Sequence, residues 1–381
     1  MTNFILAPDS FKGTLCAEKL CDIMEKAIRA HLPDAKVVKV PMSDGGEGLV
    51  DSFLRIRKGR RIQTAVKGPC FETVPCEYGI LEDGTAIIEM ASCAGLPLVY
   101  GREDPSRTTT YGVGELILHA EQHGAKRIIL GLGGSATNDG GIGMACALGY
   151  RFLDQYGCPV TPVGGSLNDI RTLIPPGTLP RIPVAGACDV SNPLCGPDGA
   201  AFTFGGQKGA SPDMQAELDR GLKNLSDVIR RDLNFDVLMT PGSGAAGGMG
   251  AAVLAFLHGE LKPGIQLILD AAEFDSLLDH ADYVITGEGR IDWQSVFGKV
   301  PVGVAERAKR KGVPCFALCG SVGKDAEKVY GHGITAVFSS INRPASFQEI
   351  AQTSEEDFYF LADALIRTLI GTNIATNPGP V

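Results

Sequence analysis

Charged and hydroxyl side chains recur in short glycine-rich blocks that directly follow apolar runs. The first block, APDSFKG at 7–13, places Asp9, Ser10 and Lys12 where a predicted strand ends and a predicted helix begins. Open α/β sheets bind ligands at that edge, and the N-terminus of the following helix attracts anions. Asp9 and Ser10 could equally cap the helix, but Lys12 has no capping role. We therefore expect this block to contact an anionic ligand.

The second block, SDGGEG at 43–48, follows a β-branched run at 36–40. Its two central glycines would bring the backbone close to a ligand, with Asp44 or Glu47 beside it. Carboxylates do not attract phosphates, so the roles open to them are Mg²⁺ binding, hydrogen bonding to a hydroxyl, or helix capping. The pattern leaves a ligand site and a simple turn equally open.

The densest block, LGLGGSATNDGGIG at 130–143, comes straight after the apolar residues 128–130. Its backbone amides could form a concave anion site, with side-chain donors added by the hydroxyl and amide residues. The alternative is a glycine-rich packing turn. The candidate residues for contacting an anion here are Gly133, Gly134, Ser135, Thr137 and Asn138.

A competing interpretation of the same block is a dinucleotide fingerprint. Gly131, Gly133 and Ala136 satisfy GxGxxA, and Asp154 follows 23 residues after Gly131, which is the spacing of that motif. A dehydrogenase of a small hydroxy acid would then also need a proton-transfer base, usually histidine. None of the six histidines lies in a glycine block, which disfavours this alternative.

Three further blocks carry one or two candidates each. ACDVSNPLCG at 187–196 places Asp189 after a strand, as a base, a metal ligand or an Asx-turn residue. GGQKG at 205–209 places Lys208 in a flexible setting. PGSGAAGG at 241–248 offers Gly242 and Gly244 as a second phosphate cradle or as points of close helix packing.

The last block, TGEGRID at 286–292, concentrates charge after one predicted strand. It contains Gly287, Glu288, Arg290 and Asp292, and Lys299 follows seven residues later. Arginine can grip a carboxylate or phosphate with two hydrogen bonds, while the acids orient it or hold a metal. Four charges are more than a plain turn requires, so we expect a functional site.

The elements that must position these blocks alternate at both ends of the chain. A strand at 4–7, a helix at 17–30 and a strand at 36–40 form a βαβ unit, and the pattern returns from 283 onward. Residues 61–90 instead indicate antiparallel hairpins. We therefore predict two α/β domains around a cleft: a Rossmann-like domain of 1–64 and 281–381 with a parallel sheet, and an inserted domain of 65–280 with a mixed sheet.

Composition excludes several classes of protein. The 381 residues carry 35 basic and 44 acidic side chains, a net charge of −9 without a basic stripe, which disfavours a nucleic-acid surface. The 11 cysteines include no CxxC, so we expect reduced thiols.

The low-charge stretch 238–257 contains a proline and five glycines, so we expect a buried helix and no membrane span. A cytoplasmic protein is expected, with its oligomeric state left open. A non-catalytic flavodoxin-like module would leave the charged glycine blocks unexplained.

Taken in order, the blocks resemble the bacterial-type glycerate kinase family, specifically the glycerate 2-kinases. The matching segments are APDSFKG, PMSDGGEG, TTYGVGELI, LGLGGSATNDGG, ACDVSNPL, GGQKGA, PGSGAAGG and VITGEGRID with its downstream GK, spread over residues 4–340. The chain departs from the family pattern at Ser43, Cys93 and the stretch 293–295. The charged positions are intact, so only details of the loop before Lys299 are put in doubt.

The resemblance implies ATP-dependent phosphorylation of D-glycerate at its 2-hydroxyl, with Mg²⁺, to give 2-phospho-D-glycerate and ADP. Phosphoryl transfer demands positioning and charge neutralisation. For substrate binding we select Ser10, Lys12, Asp44, Arg290 and Lys299, with Lys12 and Arg290 also on the transferred phosphate. For ATP we select the segment 133–138, Lys208, Gly242, Gly244, Gly287 and Glu288. We expect Asp189, or next Asp9, to accept the hydroxyl proton, and the other carboxylate or Asp292 to hold Mg²⁺.

Overall fold

The structure is a computed structural model that describes residues 1–11, 13–42, 48–178, 182–296 and 298–376. Strands and helices alternate along most of this chain. The strands are β1 (Asn3–Pro8), β2 (Lys36–Lys39), β3 (Gly59–Lys67), β4 (Thr73–Leu81), β5 (Thr85–Glu89), β6 (Arg127–Gly131), β7 (Arg151–Leu153), β8 (Thr172–Ile174), β9 (Val184–Ala187), β10 (Glu260–Lys262), β11 (Tyr283–Ile291), β12 (Cys315–Val322) and β13 (Ile334–Ser339).

The helices range from single turns to the long C-terminal element. They are α1 (Ala17–His31), α2 (Leu49–Ile56), α3 (Ala91–Ala94), α4 (Tyr111–Gln122), α5 (Ile142–Ala147), α6 (Ala200–Phe204), α7 (Pro212–Leu233), α8 (Ala245–Phe256), α9 (Gly264–Ala271), α10 (Phe274–Leu278), α11 (Val300–Arg310) and α12 (Phe347–Thr376). Short 3₁₀ helices span Leu96–Val99, Gly164–Asp169, Gly206–Lys208, Trp293–Val296 and Ala326–His332.

The chain divides into two compact units, and the first is discontinuous: Met1–Asp44 with Ile265–Val381. Its sheet has the order β13-β12-β11-β1-β2 with every neighbouring pair parallel. β1 is almost wholly apolar and buried, as is typical of a parallel strand covered on both faces. Side chains of α1 and α12 complete a core with Leu6 and Leu318. The predicted parallel sheet is therefore confirmed.

The second unit, Gly45–Gly264, contains a mixed sheet in the order β10-β9-β6-β5-β4-β3. β3, β4 and β5 are antiparallel, as the hairpin signals predicted, whereas β5, β6, β9 and β10 are parallel. The β4–β5 turn needs Gly84, whose φ is +87°. Such a φ is strained for residues with a side chain. The predicted mixed sheet is confirmed.

The division between the units differs from the boundaries that the sequence suggested, 64/65 and 280/281. It falls after residue 44 and after residue 264. The hairpin explains part of the difference, because β3 pairs with β4 from Gly59 to Lys67 and so joins the inserted sheet along its whole length.

The low-charge stretch 238–257 forms α8 within the inserted unit, and nearly all of that helix is buried. The expectation of a buried Gly/Ala-rich helix is thus confirmed. Across the described residues, no helix combines the length and the apolar character that crossing a bilayer requires.

Candidate functional site

A pocket of about 200 Å³ lies in the inserted unit, at the carboxyl ends of two neighbouring parallel strands. Gly131, the last residue of β6, pairs with Ala187, the last residue of β9, so the loops that follow both strands start side by side. Ligands of open α/β sheets bind at this edge. The lining consists of Leu96, Leu132, Gly133, Gly134, Ser135, Ala187, Cys188, Asp189, Val190, Phe204, Gln207, Lys208, Ala245 and Ala246.

Residues 131–138, which we name the glycine segment, form one wall of this pocket. Backbone hydrogen bonds fix the segment against residues 90–96: Gly131 and Gly134 accept from the N–H groups of Met90 and Leu96, and the Ala136 N–H donates to Ala94 O. Gly134 has a φ of +70°, which a residue with a side chain would adopt only under strain. The pocket wall is therefore a shaped backbone surface.

Lys208 enters the pocket wall from the short 3₁₀ helix after α6. The sequence predicted a flexible setting, but the structure differs: Lys208 is only 2% exposed. Its Nζ donates to Ser135 Oγ and to Thr137 O, both at 2.7 Å. Within the described chain no carboxylate oxygen lies within 4.0 Å of Nζ. Burial lowers the pKa of Lys208 to about 7, an effect that the negative charge of Asp139 partly opposes.

Three buried polar side chains beside this wall lack protein partners. Thr137 Oγ1, both polar atoms of the Asn138 amide, and Ser243 Oγ have no hydrogen-bond partner among the described residues, and all three residues are completely buried. Buried polar groups are normally satisfied by protein or by ordered water. Thr137 and Asn138 were predicted site residues and lie beside the pocket wall, although neither lines the pocket.

Asp139 is a residue of this region that sequence reasoning missed. Its carboxylate is completely buried and accepts hydrogen bonds from the N–H and hydroxyl of Thr110 and from the N–H groups of Gly141 and Gly143. Burial raises its pKa, and these hydrogen bonds oppose the rise. The Asp139 carboxylate thus ties the end of the glycine segment to the start of α4. Its position directly after Asn138 was the available signal.

Gly242 and Gly244 take the packing role that the sequence left as the alternative to a phosphate cradle. A Cβ on Gly244 would lie 2.2 Å from Pro193 O, and one on Gly242 would lie 3.1 Å from Cys188 Sγ. Neither residue lines the pocket, but Ala245 and Ala246 from the same block do. Ala246 has a φ of +52°, an unusual conformation for alanine.

Asp189 lies on the pocket lining after β9 and is exposed. Its Oδ1 accepts a hydrogen bond of 2.8 Å from the N–H of Gly264. This contact orients the carboxylate. The structure therefore brings Asp189, Lys208 and the glycine segment into one pocket, as expected of a site formed from separate blocks.

The discontinuous unit contains a second cluster of predicted residues along β11. Glu288 is 7% exposed; it accepts a hydrogen bond from the buried Ser295 hydroxyl, and its Oε2 lies 3.5 Å from Lys299 Nζ. Burial raises the pKa of Glu288, while Ser295 and Lys299 lower it. Ser295, in the WQS stretch that departs from the family pattern, was not selected from the sequence.

Arg290 and Asp292 form an ion pair next to this cluster, with 3.2 Å between Arg290 Nε and Asp292 Oδ2. The other oxygen of Asp292 accepts from the N–H of Gln294. The Asp292 carboxylate is thus held by Arg290 and by the backbone, and its predicted role as a metal ligand stays a prediction. The Arg290 side chain is 65% exposed and available to a ligand.

Gly287 and Asp9 connect β11 to the end of β1. The Asp9 N–H donates to Gly287 O at 2.8 Å, and Asp9 Oδ1 accepts from the N–H of Ser10. A Cβ on Gly287 would lie 2.0 Å from Leu318 O, so strand packing accounts for this glycine. Two predicted residues of the site, Lys12 and Asp44, lie outside the described residues.

The structure does not have the strand arrangement that a dinucleotide-binding fingerprint requires. That fingerprint requires the strand before its acidic residue to continue the parallel sheet. Here β7 pairs with β8 in a separate two-stranded antiparallel sheet and is not part of the six-stranded sheet that contains β6. Asp154 Oδ1 accepts from the N–H groups of Tyr156 and Cys158, which makes it a turn residue.

In the part of the chain that the structure describes, no three His, Cys, Asp or Glu side chains are grouped so that they could hold a metal by themselves. Mg²⁺ in phosphoryl-transfer sites usually binds one or two carboxylates together with substrate phosphates. Asp189, a hard oxygen ligand beside the candidate phosphate wall, fits that requirement.

Comparisons with known proteins agree with the family resemblance that the order of the glycine-rich blocks indicated. Residues 4–370 match the glycerate kinase family. The chain belongs to the glycerate kinase family. A glycerate kinase from Bacillus cereus is 47% identical, with 94% of this chain and 95% of the relative covered. Glycerate 2-kinase from Escherichia coli is 46% identical, with 91% and 92% covered.

A solved structure supports the same membership. The crystal structure described as glycerate kinase 2 from Salmonella typhimurium superimposes with a TM-score of 0.85 at 41% identity, covering 98% of this chain and 99% of that one. The resemblance noted from the sequence, the α/β fold and the expectation of a kinase are thereby confirmed.

Proposed function

We propose that this member of the glycerate kinase family transfers the γ-phosphoryl group of ATP to the 2-hydroxyl of D-glycerate, giving 2-phospho-D-glycerate and ADP. Family membership supports glycerate as the substrate, and the name of the Escherichia coli relative supports the 2-position. The cytoplasm, which supplies ATP, is the location that we propose for this reaction.

The observation that carries the ATP assignment is the buried lysine. Removing an ammonium group from water without an opposite charge is costly. Among the described residues, Lys208 Nζ donates to two neutral acceptors, Ser135 Oγ and Thr137 O, beside the backbone of the glycine segment. A bound phosphate would supply the missing negative charge. We therefore place the ATP phosphates against Lys208, Gly133, Gly134 and Ser135.

Thr137 and Asn138 follow the pocket-lining Gly133–Ser135 in the glycine segment, and their buried polar side-chain atoms have no partner among the described residues. Gly242 and Gly244 leave no room for a Cβ beside Cys188 and Pro193. Because the phosphoryl group in transfer is highly charged, positioning and charge neutralisation are the main contributions expected of the protein. Asp189 is the carboxylate on the same pocket. We propose that it accepts the proton of the glycerate hydroxyl.

For the discontinuous unit we propose a role in substrate binding. Arg290 is exposed and can hold a carboxylate with two hydrogen bonds. Lys299 lies next to the buried Glu288, which orients the ammonium group. Ser10, held by Asp9, and the undescribed Lys12 and Asp44 complete the proposed set, with Asp9 as the second candidate for the base.

One incubation tests the whole proposal. The protein is mixed with ATP, Mg²⁺ and D-glycerate, and the product is identified by ³¹P and ¹H NMR as the 2-phosphate or the 3-phosphate. Formation of the 2-phosphate is expected. Formation of the 3-phosphate would retain the kinase and correct the position. Oxidation of NADH with hydroxypyruvate, without phosphate transfer, would favour the dehydrogenase instead. Omitting Mg²⁺ tests the metal requirement separately.

A further inference from the structure

The hydroxyl of Ser135 and the amine of Lys208 form a close pair in the pocket of the inserted unit. Ser135 Oγ and Lys208 Nζ are 2.7 Å apart, both residues line the pocket, and both are almost completely buried, at 5% and 2% exposure. As phosphate ligands the two would act only as hydrogen-bond donors. Their direct contact permits a different chemistry when no nucleotide is bound.

Lys208 has the surroundings of a base. Its second contact is the neutral carbonyl of Thr137, and no carboxylate in the described part of the chain pairs with it. Because burial lowers its pKa to about 7, a large share of the amine carries no proton at neutral pH. The lone pair of that neutral amine can accept the Ser135 hydroxyl proton at the observed distance.

The backbone beside Ser135 offers donors for a developing negative charge. Gly133 and Gly134 line the pocket, and their N–H groups donate to no acceptor within the described ranges. Such amides stabilise the oxyanion of an acyl-transfer intermediate. Leu96, Leu132 and Phe204 add apolar walls that suit a short acyl chain.

We propose that Ser135 is a nucleophile with Lys208 as its general base, and that this pair cleaves small carboxylic esters in the nucleotide-free protein. Ser135 Oγ attacks the ester carbonyl carbon, and the hydroxyl proton passes to Lys208 Nζ. The carbon–oxygen bond to the leaving alcohol breaks, and Lys208 returns the proton to that alkoxide. Water then attacks the acyl-serine with Lys208 again as base, releasing the carboxylic acid and restoring both side chains.

A small alkyl fluorophosphonate tests the pair on the full-length, nucleotide-free protein. A Ser135 oxygen–phosphorus bond would form as fluoride leaves, and peptide mass spectrometry would locate the adduct. We expect one adduct on Ser135, and a rate about 10²-fold lower in Lys208→Met, the usual loss when a general base is removed. Ser211→Ala, which removes an exposed serine outside the pocket, should label like the wild type.

Lys208→Arg provides the discriminating variant, because guanidinium keeps its charge and its donors but cannot accept a proton in proteins. It should lose both labelling and p-nitrophenyl acetate hydrolysis while its thermal unfolding stays cooperative. Undiminished labelling of Ser135 in Lys208→Arg, or an adduct only at other residues in the wild type, would overturn the proposal. None of these readouts uses ATP or glycerate, so they stand or fall independently of the kinase.

Discussion

At the scale of single residues, the proposed contact between Lys208 and the ATP phosphates predicts that nucleotide binding depends on pH. In the free protein its pKa is about 7, since burial outweighs the opposing charge of Asp139. A bound phosphate would favour the charged form and raise the pKa. Below pH 7 the amine is already protonated, whereas above pH 7 binding must draw a proton from solvent. The affinity for ATP should therefore fall as the pH rises above about 7.

Calorimetry in two buffers of different ionisation enthalpy measures this proton directly. With a non-hydrolysable ATP analogue at pH 8, we expect uptake of close to one proton, and at pH 6 close to none. Lys208→Met should bind without the pH-dependent uptake, while Lys223→Met, which alters an exposed lysine of α7, should behave as the wild type. Equal proton uptake in wild type and Lys208→Met would remove Lys208 from the phosphate site.

Asp189 gives the second prediction at this scale. If its carboxylate accepts the hydroxyl proton, Asp189→Asn should lower kcat by about 10² or more with little change in the KM for ATP. The hydrogen bond from the Gly264 N–H can persist, because the amide oxygen also accepts. The assay is repeated at increasing Mg²⁺. Recovery of kcat at high Mg²⁺ would make Asp189 a metal ligand, and a kcat within about fivefold of wild type would exclude it from both roles.

Residue type and local spacing predicted a site formed from separate blocks, and the structure shows which of the predicted residues lie together. Asp189, Lys208 and Ser135 share one pocket although they are widely separated in sequence. Asp139 was missed because its importance comes from burial and from four donors, including those of the distant Thr110. Lys208 was placed in a flexible loop because flanking glycines indicate turns but give no information on burial.

At the scale of elements, the glycines of the block 241–248 allow α8 to pack closely. A Cβ on Gly244 would lie 2.2 Å from Pro193 O, a contact that requires the backbone to move. Gly244→Ala should therefore destabilise the protein by about 1–3 kcal/mol, the usual cost of overpacking. Gly177→Ala is the matched control, since a Cβ there meets nothing within 4 Å. Equal denaturant midpoints for the two variants would contradict this account.

The strands and helices were predictable wherever periodicity was strong. β1 and the start of β11 at 283–286 are short apolar runs, and the antiparallel β3–β5 segment is marked by turn residues, so both sheet types followed from pattern. The strand β11 itself continues to Ile291, so Glu288 and Arg290 lie within it and not, as the sequence predicted, in a turn after it. The sequence did not predict the residue at which the first segment of the discontinuous unit ends: it suggested residue 64, whereas the structure gives residue 44. The turn signals predicted a hairpin, but composition does not show the residue at which β3 begins to pair with β4, which is Gly59.

At the scale of the whole molecule, every described residue that lines the pocket proposed to bind the nucleotide belongs to the inserted unit. Its lining runs from Leu96 to Ala246, and that unit has its own apolar core, which extends from Val66 to Phe256. We predict that segment 45–264, expressed alone, unfolds cooperatively and binds an ATP analogue within about tenfold of the full chain, a difference of about 1.4 kcal/mol. It should show no phosphorylation of glycerate, because Arg290 and Lys299 are absent. Calorimetry on the segment and on its Lys208→Met variant provides the measurement and the control. A cooperatively folded segment that does not bind the analogue would show that the ATP phosphates are held elsewhere.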